Sequence, residues 1–202
     1  MVEAASGLRL DRYLKENIFA PLGMADSGFK LDDAMRRRRP RVWSRTTAGL
    51  VVNEYSEMPQ EPEFHMGGGG LYSTIGDYLT FTRAILAGGG AILKPETVAL
   101  MSRNAMGDVT FRPIKSEMPE RSTDLDFVDG MKWGLSFMIN PTAFAGRRSA
   151  GSLTWGGLYN SYYWIDPVKK VTGVWATQLL PFYDARAVAA FEEFERGVYA
   201  SL

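Results

Sequence analysis

Residues 151–182 read GSLTWGGLYNSYYWIDPVKKVTGVWATQLLPF, and this stretch decides the fold. It holds two runs rich in β-branched and aromatic residues, 158–166 and 171–180, separated by the turn-forming segment 166–170. That pattern predicts a β-hairpin. Gly156 and Gly157 stand just before the first run. Glycine weakens a strand, because it packs no side chain and loses the most backbone freedom on folding. Something must therefore approach the backbone at Trp155-Gly156-Gly157. It is either a neighbouring element at a tight sheet crossing or a bound molecule.

Working outward, KWGLSFMI from Lys132 and GSLTWG from Gly151 read as two further strands, making a four-stranded antiparallel meander with VTGVWATQLL at 171–180 last. DARAVAAFEEFERGVYASL closes the chain as an amphipathic helix. Upstream, Leu10, Tyr13, Leu14 and Phe19 recur at helical spacing until Pro21 and Gly23 end the helix. Residues 24–62 are polar and broken by Gly and Pro, with GLVVNEY at 49–55 the best strand in a long loop. In HMGGGGLYSTIGDYLTFTRAILAGGG, Asp77 lies three residues after Thr74, as a capping box with a carboxylate requires. An apolar stripe then runs to Leu86, and Gly88-Gly89-Gly90 stops the helix. KPETVALMSRNAMG predicts another helix with Pro95 in its first turn, and 107–129 reads as a polar loop. Helices and loops followed by an antiparallel sheet and a terminal helix indicate an α+β fold. The division expected is 1–130 as a helical and loop region and 131–202 as the sheet with its helix.

Composition narrows the chemistry. The 202 residues are 46% hydrophobic and 23% charged, with 23 Lys+Arg balanced by 23 Asp+Glu. A neutral field argues against nucleic acid, and the arginines at 36–39 with Arg41 read as a solvated surface segment. The absence of cysteine excludes disulfides, thiol catalysis and Cys-based metal sites. One histidine, His65, excludes His-rich zinc patterns and leaves a Ser-His-Asp triad possible only through that residue. No apolar run reaches membrane-spanning length, and no cofactor motif occurs.

Three segments carry a resemblance: IFAPLGMADSGF, GGGGLYSTIGDYLTF, and TWGGLYNSYYWIDP continuing to TQLLPF. Together they resemble, in order and over nearly the whole chain, the C-terminal half of the serine hydrolases with the class C β-lactamase fold. The esterase-like members of the family VIII carboxylesterase type are most similar. The resemblance implies a penicillin-binding-protein-like fold, a small-molecule carboxylic ester (or β-lactam) as substrate, an acyl-enzyme, no cofactor and a bacterial source. It identifies Trp155-Gly156-Gly157 with the family's third active-site motif, whose strand walls the cleft. Leu158 then matches the position whose backbone N–H forms half of the oxyanion hole. Gly156 and Gly157 would leave room for the substrate carbonyl, with Tyr159 beside it. Trp155 stands where β-lactam-binding relatives carry lysine. Its apolar face suits a neutral ester, against the alternative of simple core burial. Gly69, within the glycines at 67–70, matches the segment opposite the strand, against the alternative of a plain helix-entry loop.

The nucleophile of that family is a serine in Ser-x-x-Lys, activated by a lysine and by a tyrosine from a Tyr-x-Asn or Tyr-x-Ser motif. The one Ser-x-x-Lys here, Ser27-Gly28-Phe29-Lys30, precedes a charged segment unsuited to a buried helix and reads as a chance match. Ser102-Arg103-Asn104 falls on a surface helix. The expectation is a C-terminal portion that supplies the oxyanion strand and substrate walls and needs an N-terminal half as partner. It would be inactive alone, with a cytoplasmic location favoured. The competing readings are a non-catalytic domain binding a small ligand or partner in the cleft, and an independent hydrolase using His65. Without the N-terminal strands, 171–180 would form a long apolar edge, so a homo-oligomer through that edge is expected.

Overall fold

Two sheets and seven α-helices organise the computed structural model, which describes residues 1–54 and 57–202. α1 (Val2–Ser6) leads to α2 (Leu10–Leu14), which continues through a π-helical turn (Lys15–Phe19) into α3 (Ala20–Leu22). Gly23 ends this run in the left-handed region (φ 69°), as the sequence predicts. α4 (Asp33–Arg38) was hidden in the expected loop, although its signals are local. Asp32 accepts from the Met35 amide at 2.7 Å, and three arginines fill the last turn, where the helix dipole favours cations.

β1 (Val42–Thr46) and β2 (Gly49–Asn53) pair antiparallel. The predicted strand at 49–55 is realised through Asn53; Tyr55 lies outside the described residues. α5 (Ile75–Leu86) and α6 (Pro95–Ser102) follow as expected, with Pro95 in the first turn. Thr74 caps α5 by accepting from the Asp77 amide at 3.2 Å. The Asp77 carboxylate goes elsewhere, as described below.

After a 3₁₀ turn (Asp126–Val128), the larger sheet runs β3 (Lys132–Trp133), β4 (Met138–Ile139), β5 (Leu153–Gly157), β6 (Ser161–Asp166) and β7 (Val171–Trp175), all antiparallel and in that spatial order. KWGLSFMI is thus two short strands rather than one. α7 (Ala185–Ala200) closes the chain behind its Asp184 cap.

The sheet is covered on both faces, which is why β6 reads as a nearly unbroken apolar run. Side chains alternate across it. Ile165 joins Leu153, Ile139 and Ile85 of α5 on one side. Tyr162 and Trp164 join Phe182 and Phe191 of α7 on the other. Gly173 makes room for Trp164: a Cβ there would sit 2.0 Å from the indole ring.

The expected strand at 171–180 requires correction. β7 ends at Trp175, and β8 (Leu179–Leu180) belongs to the smaller sheet, parallel to β1, with Trp43 opposite Leu179. The intervening segment leaves the sheet because Thr177 donates its hydroxyl to the Tyr159 carbonyl at 2.6 Å, and the Trp43 amide takes the Gln178 carbonyl at 2.8 Å. β7 is still the last strand of its sheet, but the edge spans five residues and Leu179-Leu180 is not part of it.

Candidate functional site

The hairpin of β5 and β6 turns through Leu158, Tyr159 and Asn160. Asn160 takes the left-handed conformation (φ 60°) that a three-residue hairpin loop needs at its last position. Asparagine tolerates it better than most residues. Its side chain, 0% exposed, then fastens the turn to the segment before α7. The amide group donates to the carbonyls of Leu179 (2.8 Å) and Pro181 (2.7 Å). Its oxygen accepts from the Tyr162 hydroxyl (2.7 Å) and the Asp184 amide (3.0 Å).

Asp184 extends the network by capping α7 through the Ala187 amide (3.0 Å) and by pairing with Arg45 of β1 at 2.5 and 3.2 Å. Burial alone would raise the Asp184 carboxyl, but Arg45 and the helix amides outweigh it and hold it below the usual carboxylate range. The turn is therefore held by buried polar bonds from three directions. At its tip Leu158 is 40% exposed, and its amide is not among the engaged donors, where Asn160 donates to Gly157 and Leu179 to Tyr159.

The two glycines differ. A Cβ on Gly156 would lie 2.8 Å from the Tyr162 ring and 3.1 Å from Phe182, so packing alone forbids a side chain there. A Cβ on Gly157 would meet nothing closer than 3.8 Å, the Ser161 Cβ. Internal packing does not explain Gly157.

The predicted site residues do not converge on one cavity. Trp155 and Gly156 line a cavity of about 160 Å³ on the α7 side. Trp155 is half-buried there, edge-on to Trp133 at 4.9 Å. Tyr159 lines a second cavity of about 240 Å³ with Tyr72, Ser73, Arg38 and Gln178, and burial pushes its hydroxyl pKa up. Gly69 lines a third with Phe29 and Phe64. The segment Leu71-Tyr72 that follows the glycines reaches the Tyr159 cavity, and Tyr72 bridges to Gly28.

The candidate nucleophiles are all engaged otherwise. The Ser27 hydroxyl donates to Asp77 (2.8 Å) and lies 2.7 Å from the Ser73 hydroxyl, while Lys30 pairs with Glu61. The serine and lysine of that Ser-x-x-Lys therefore do not act on each other. Asp77 spends its carboxylate on Ser27 and on the Asp26 amide (2.9 Å) instead of closing the capping box. Ser102 donates to the Val98 carbonyl within α6. His65 is stacked on Phe29 at 4.4 Å, with its Nε2 3.1 Å from Arg9 and 3.4 Å from Asp11. Among the described residues, no serine contacts it in these interactions. Among the described residues no group of His, Asp and Glu could hold a metal ion, and no helix is long and apolar enough to cross a membrane.

Sequence reasoning missed Asn160, Thr177, Asp184 and Arg45. Asparagine immediately before a strand is a turn signal. Apart from Tyr162, its side-chain partners lie 19 to 24 residues away, and Arg45 is 139 residues from Asp184, so no local pattern could join them.

Comparison with known proteins gives the context. Residues 1–196 match the family described as Beta-lactamase. Monacolin J acid methylbutanoyltransferase of Aspergillus terreus is 31% identical over 212 residues, covering 99% of this chain and 51% of its own length. Lovastatin esterase of Penicillium rubens is 26% identical over 98% of this chain and 53% of its own. A mutant simvastatin synthase from Aspergillus terreus superimposes with a TM-score of 0.84 at 29% identity, over 99% of this chain and 52% of that one. The chain spans about half the length of the curated relatives it matches. These relatives are fungal, so they lend no support to a bacterial source.

Proposed function

The chain belongs to the Beta-lactamase family, and from that premise we propose that it supplies the oxyanion strand and substrate walls of a serine enzyme that transfers or hydrolyses acyl groups of carboxylic esters. Its relatives carry both chemistries in their names, a methylbutanoyltransferase and an esterase. The observation that supports the reading is the hairpin tip. The Leu158 amide belongs to a turn fixed by Asn160, beside an exposed Gly157 whose Cβ would meet nothing closer than the Ser161 Cβ at 3.8 Å. A substrate carbonyl can lie along that backbone, and an amide held in advance stabilises the developing oxyanion without reorganising. One such donor contributes roughly 3–4 kcal/mol to the transition state.

In this reading Trp155 and Tyr159 are walls for a neutral acyl or alcohol group, Gly69 belongs to the opposite wall, and Gly156 serves packing. The serine, lysine and tyrosine come from a partner half of the same fold, since Ser27 is held by Asp77 and Lys30 by Glu61. The reading also keeps a homo-oligomer through the shortened β7 edge.

The test is reconstitution. The purified 202-residue chain should hydrolyse p-nitrophenyl butyrate no faster than a protein control. Fused to the N-terminal half of a relative bearing Ser-x-x-Lys, it should gain turnover. In that fusion Gly157→Val should lose about 100-fold or more by blocking the carbonyl's approach. Full activity in the valine variant would sink the assignment. Turnover by the chain alone that vanishes in Ser27→Ala would replace it with an independent hydrolase. A fusion that folds and stays inert would favour a non-catalytic binding domain.

A further inference from the structure

The cavity behind β5 holds a polar group that the fold leaves unmet. Arg148 is only 8% exposed and lines this cavity, yet its Nε and Nη1 have no hydrogen-bond partner among the described residues. Its guanidinium lies against the Phe144 ring at 5.1 Å and the Phe191 ring at 5.9 Å, with Nη1 3.6 Å from Glu195 Oε1. Arg147, on the other approach to Phe144 (4.9 Å), is engaged by Glu192 at 2.9 Å and Glu195 at 3.5 Å. Glu195 is 0% exposed and accepts the Arg148 backbone amide at 3.2 Å. Burial pushes the Glu195 carboxyl up against the pull of both arginines, which weakens its hold on Arg148. The other polar side chains of the wall are committed: Thr154 donates to the Tyr163 carbonyl and Tyr162 to Asn160.

Guanidinium donors removed from water need acceptors, because leaving them unmet costs far more than a neutral contact gains. The rest of the wall is mostly apolar and aromatic, chiefly Phe127, Met131, Met138 and Val188, with Trp155, Tyr183 and the Glu192 carboxylate also on it; Glu192 is held by Arg147 at 2.9 Å. Its volume of about 160 Å³ suits a body the size of a benzene ring, which fills an apolar cavity of about 150 Å³. We propose that this cavity is a binding site for a small carboxylate with an apolar body of about six carbons, its carboxylate accepting from Arg148 and its body lying between Met138 and Val188. The cavity shares Trp155 with the walls assigned above to the acyl or alcohol group, but neither Gly157 nor Leu158 lines it, and the argument from Arg148 does not rest on the acyl-transfer reading.

The experiment uses the purified chain alone and calorimetric titration with benzoate, with benzyl alcohol as the neutral probe of similar shape. Benzoate should bind saturably and about tenfold or more tighter than benzyl alcohol, since a charge-assisted hydrogen bond separates them. Val188→Phe, which fills the cavity and leaves Arg148 in place, should abolish binding while the melting transition persists. Arg148→Met should bring benzoate down to the level of benzyl alcohol. If Arg148→Met does not fold, the two-probe comparison on the unaltered chain and Val188→Phe decide the matter. Equal binding of the two probes would overturn the carboxylate assignment. Absence of saturable benzoate binding, or binding unchanged in Val188→Phe, would overturn the site.

Discussion

Gly156 and Gly157 are adjacent residues of one strand, and they are glycines for different reasons. At Gly156 the interior is full: Tyr162, pinned by its hydroxyl to Asn160, occupies the place of a side chain. At Gly157, which is exposed, a side chain would meet only ordinary contacts with Ser161 at 3.8 and 3.9 Å. The hairpin thus has a packed root, where glycine serves the sheet, and an exposed tip, where the proposed approach to the Leu158 amide lies. A glycine pair in a sequence marks a close approach without saying what approaches. Only the neighbours at each Cβ position separate the two cases.

The sharpest test of the packed side is Gly173→Ala, whose Cβ would enter the Trp164 ring. Trp164 is fully buried between α7 and the sheet, so relief requires moving a core indole. The expected loss is about 3 kcal/mol, at the upper end of overpacking costs, read as a lower urea midpoint. A variant as stable as the parent would mean that the root of the hairpin is loose.

Asn160→Ala should come next, at about 2–3 kcal/mol, because it strands the Leu179 and Pro181 carbonyls and the Asp184 amide at once. Hydrogen exchange should report the loss locally, with protection falling at 158–162 and 179–184 before it falls in α5. Uniform loss would show that Asn160 serves the whole fold and that the tip has no separate support.

Gly156→Ala follows at about 1–2 kcal/mol, less than Gly173 because the overlap is shallower, 2.8 Å to the Tyr162 ring against 2.0 Å to the Trp164 ring. Asp184 adds a pH signature to the same region. Its folded carboxyl is held below the unfolded value of about 3.9, so its contribution is present above that pH and lost as pH falls through the lower folded value. Asp184→Asn keeps a good helix cap and removes the charge facing Arg45. It should cost about 1 kcal/mol near neutrality and flatten the acid limb of stability against pH. An acid limb unchanged in the variant would assign it to other carboxylates, with Asp166, which accepts from Tyr199 and three backbone amides, the first to examine.

The smallest effect is expected at the tip. Gly157→Ala should change stability by no more than about 0.5 kcal/mol, since its φ is not in the left-handed region and no atom lies within 3.8 Å of the new Cβ. If it destabilises as much as Gly156→Ala, the contrast between the two glycines fails, and with it the structural support for an open approach to Leu158.

How much the sequence settled can be traced through particular residues. Period-2 alternation and β-branched content located β5, β6 and β7, because a strand's two faces are written directly into its residue order. The cap at Thr74 and the left-handed stop at Gly23 are equally local: each satisfies or ends a helix within a few residues. The order of three motifs fixed the family, which the match over residues 1–196 shares.

What the sequence left open depended on distance along the chain. The run 171–180 reads as one strand because its residues are uniformly strand-forming. It breaks because Thr177 and Gln178 find partners in the hairpin turn and in β1. The amphipathic pattern of α7 gave no hint that Glu195 lies inside, since its burial depends on two arginines 47 and 48 residues upstream. The same holds for the glycines: local sequence fixed that side chains are missing at 156 and 157. Which of them faces Tyr162 and Phe182 and which has room for a side chain was decided by tertiary packing, because a contact between distant segments leaves no periodic trace in either one.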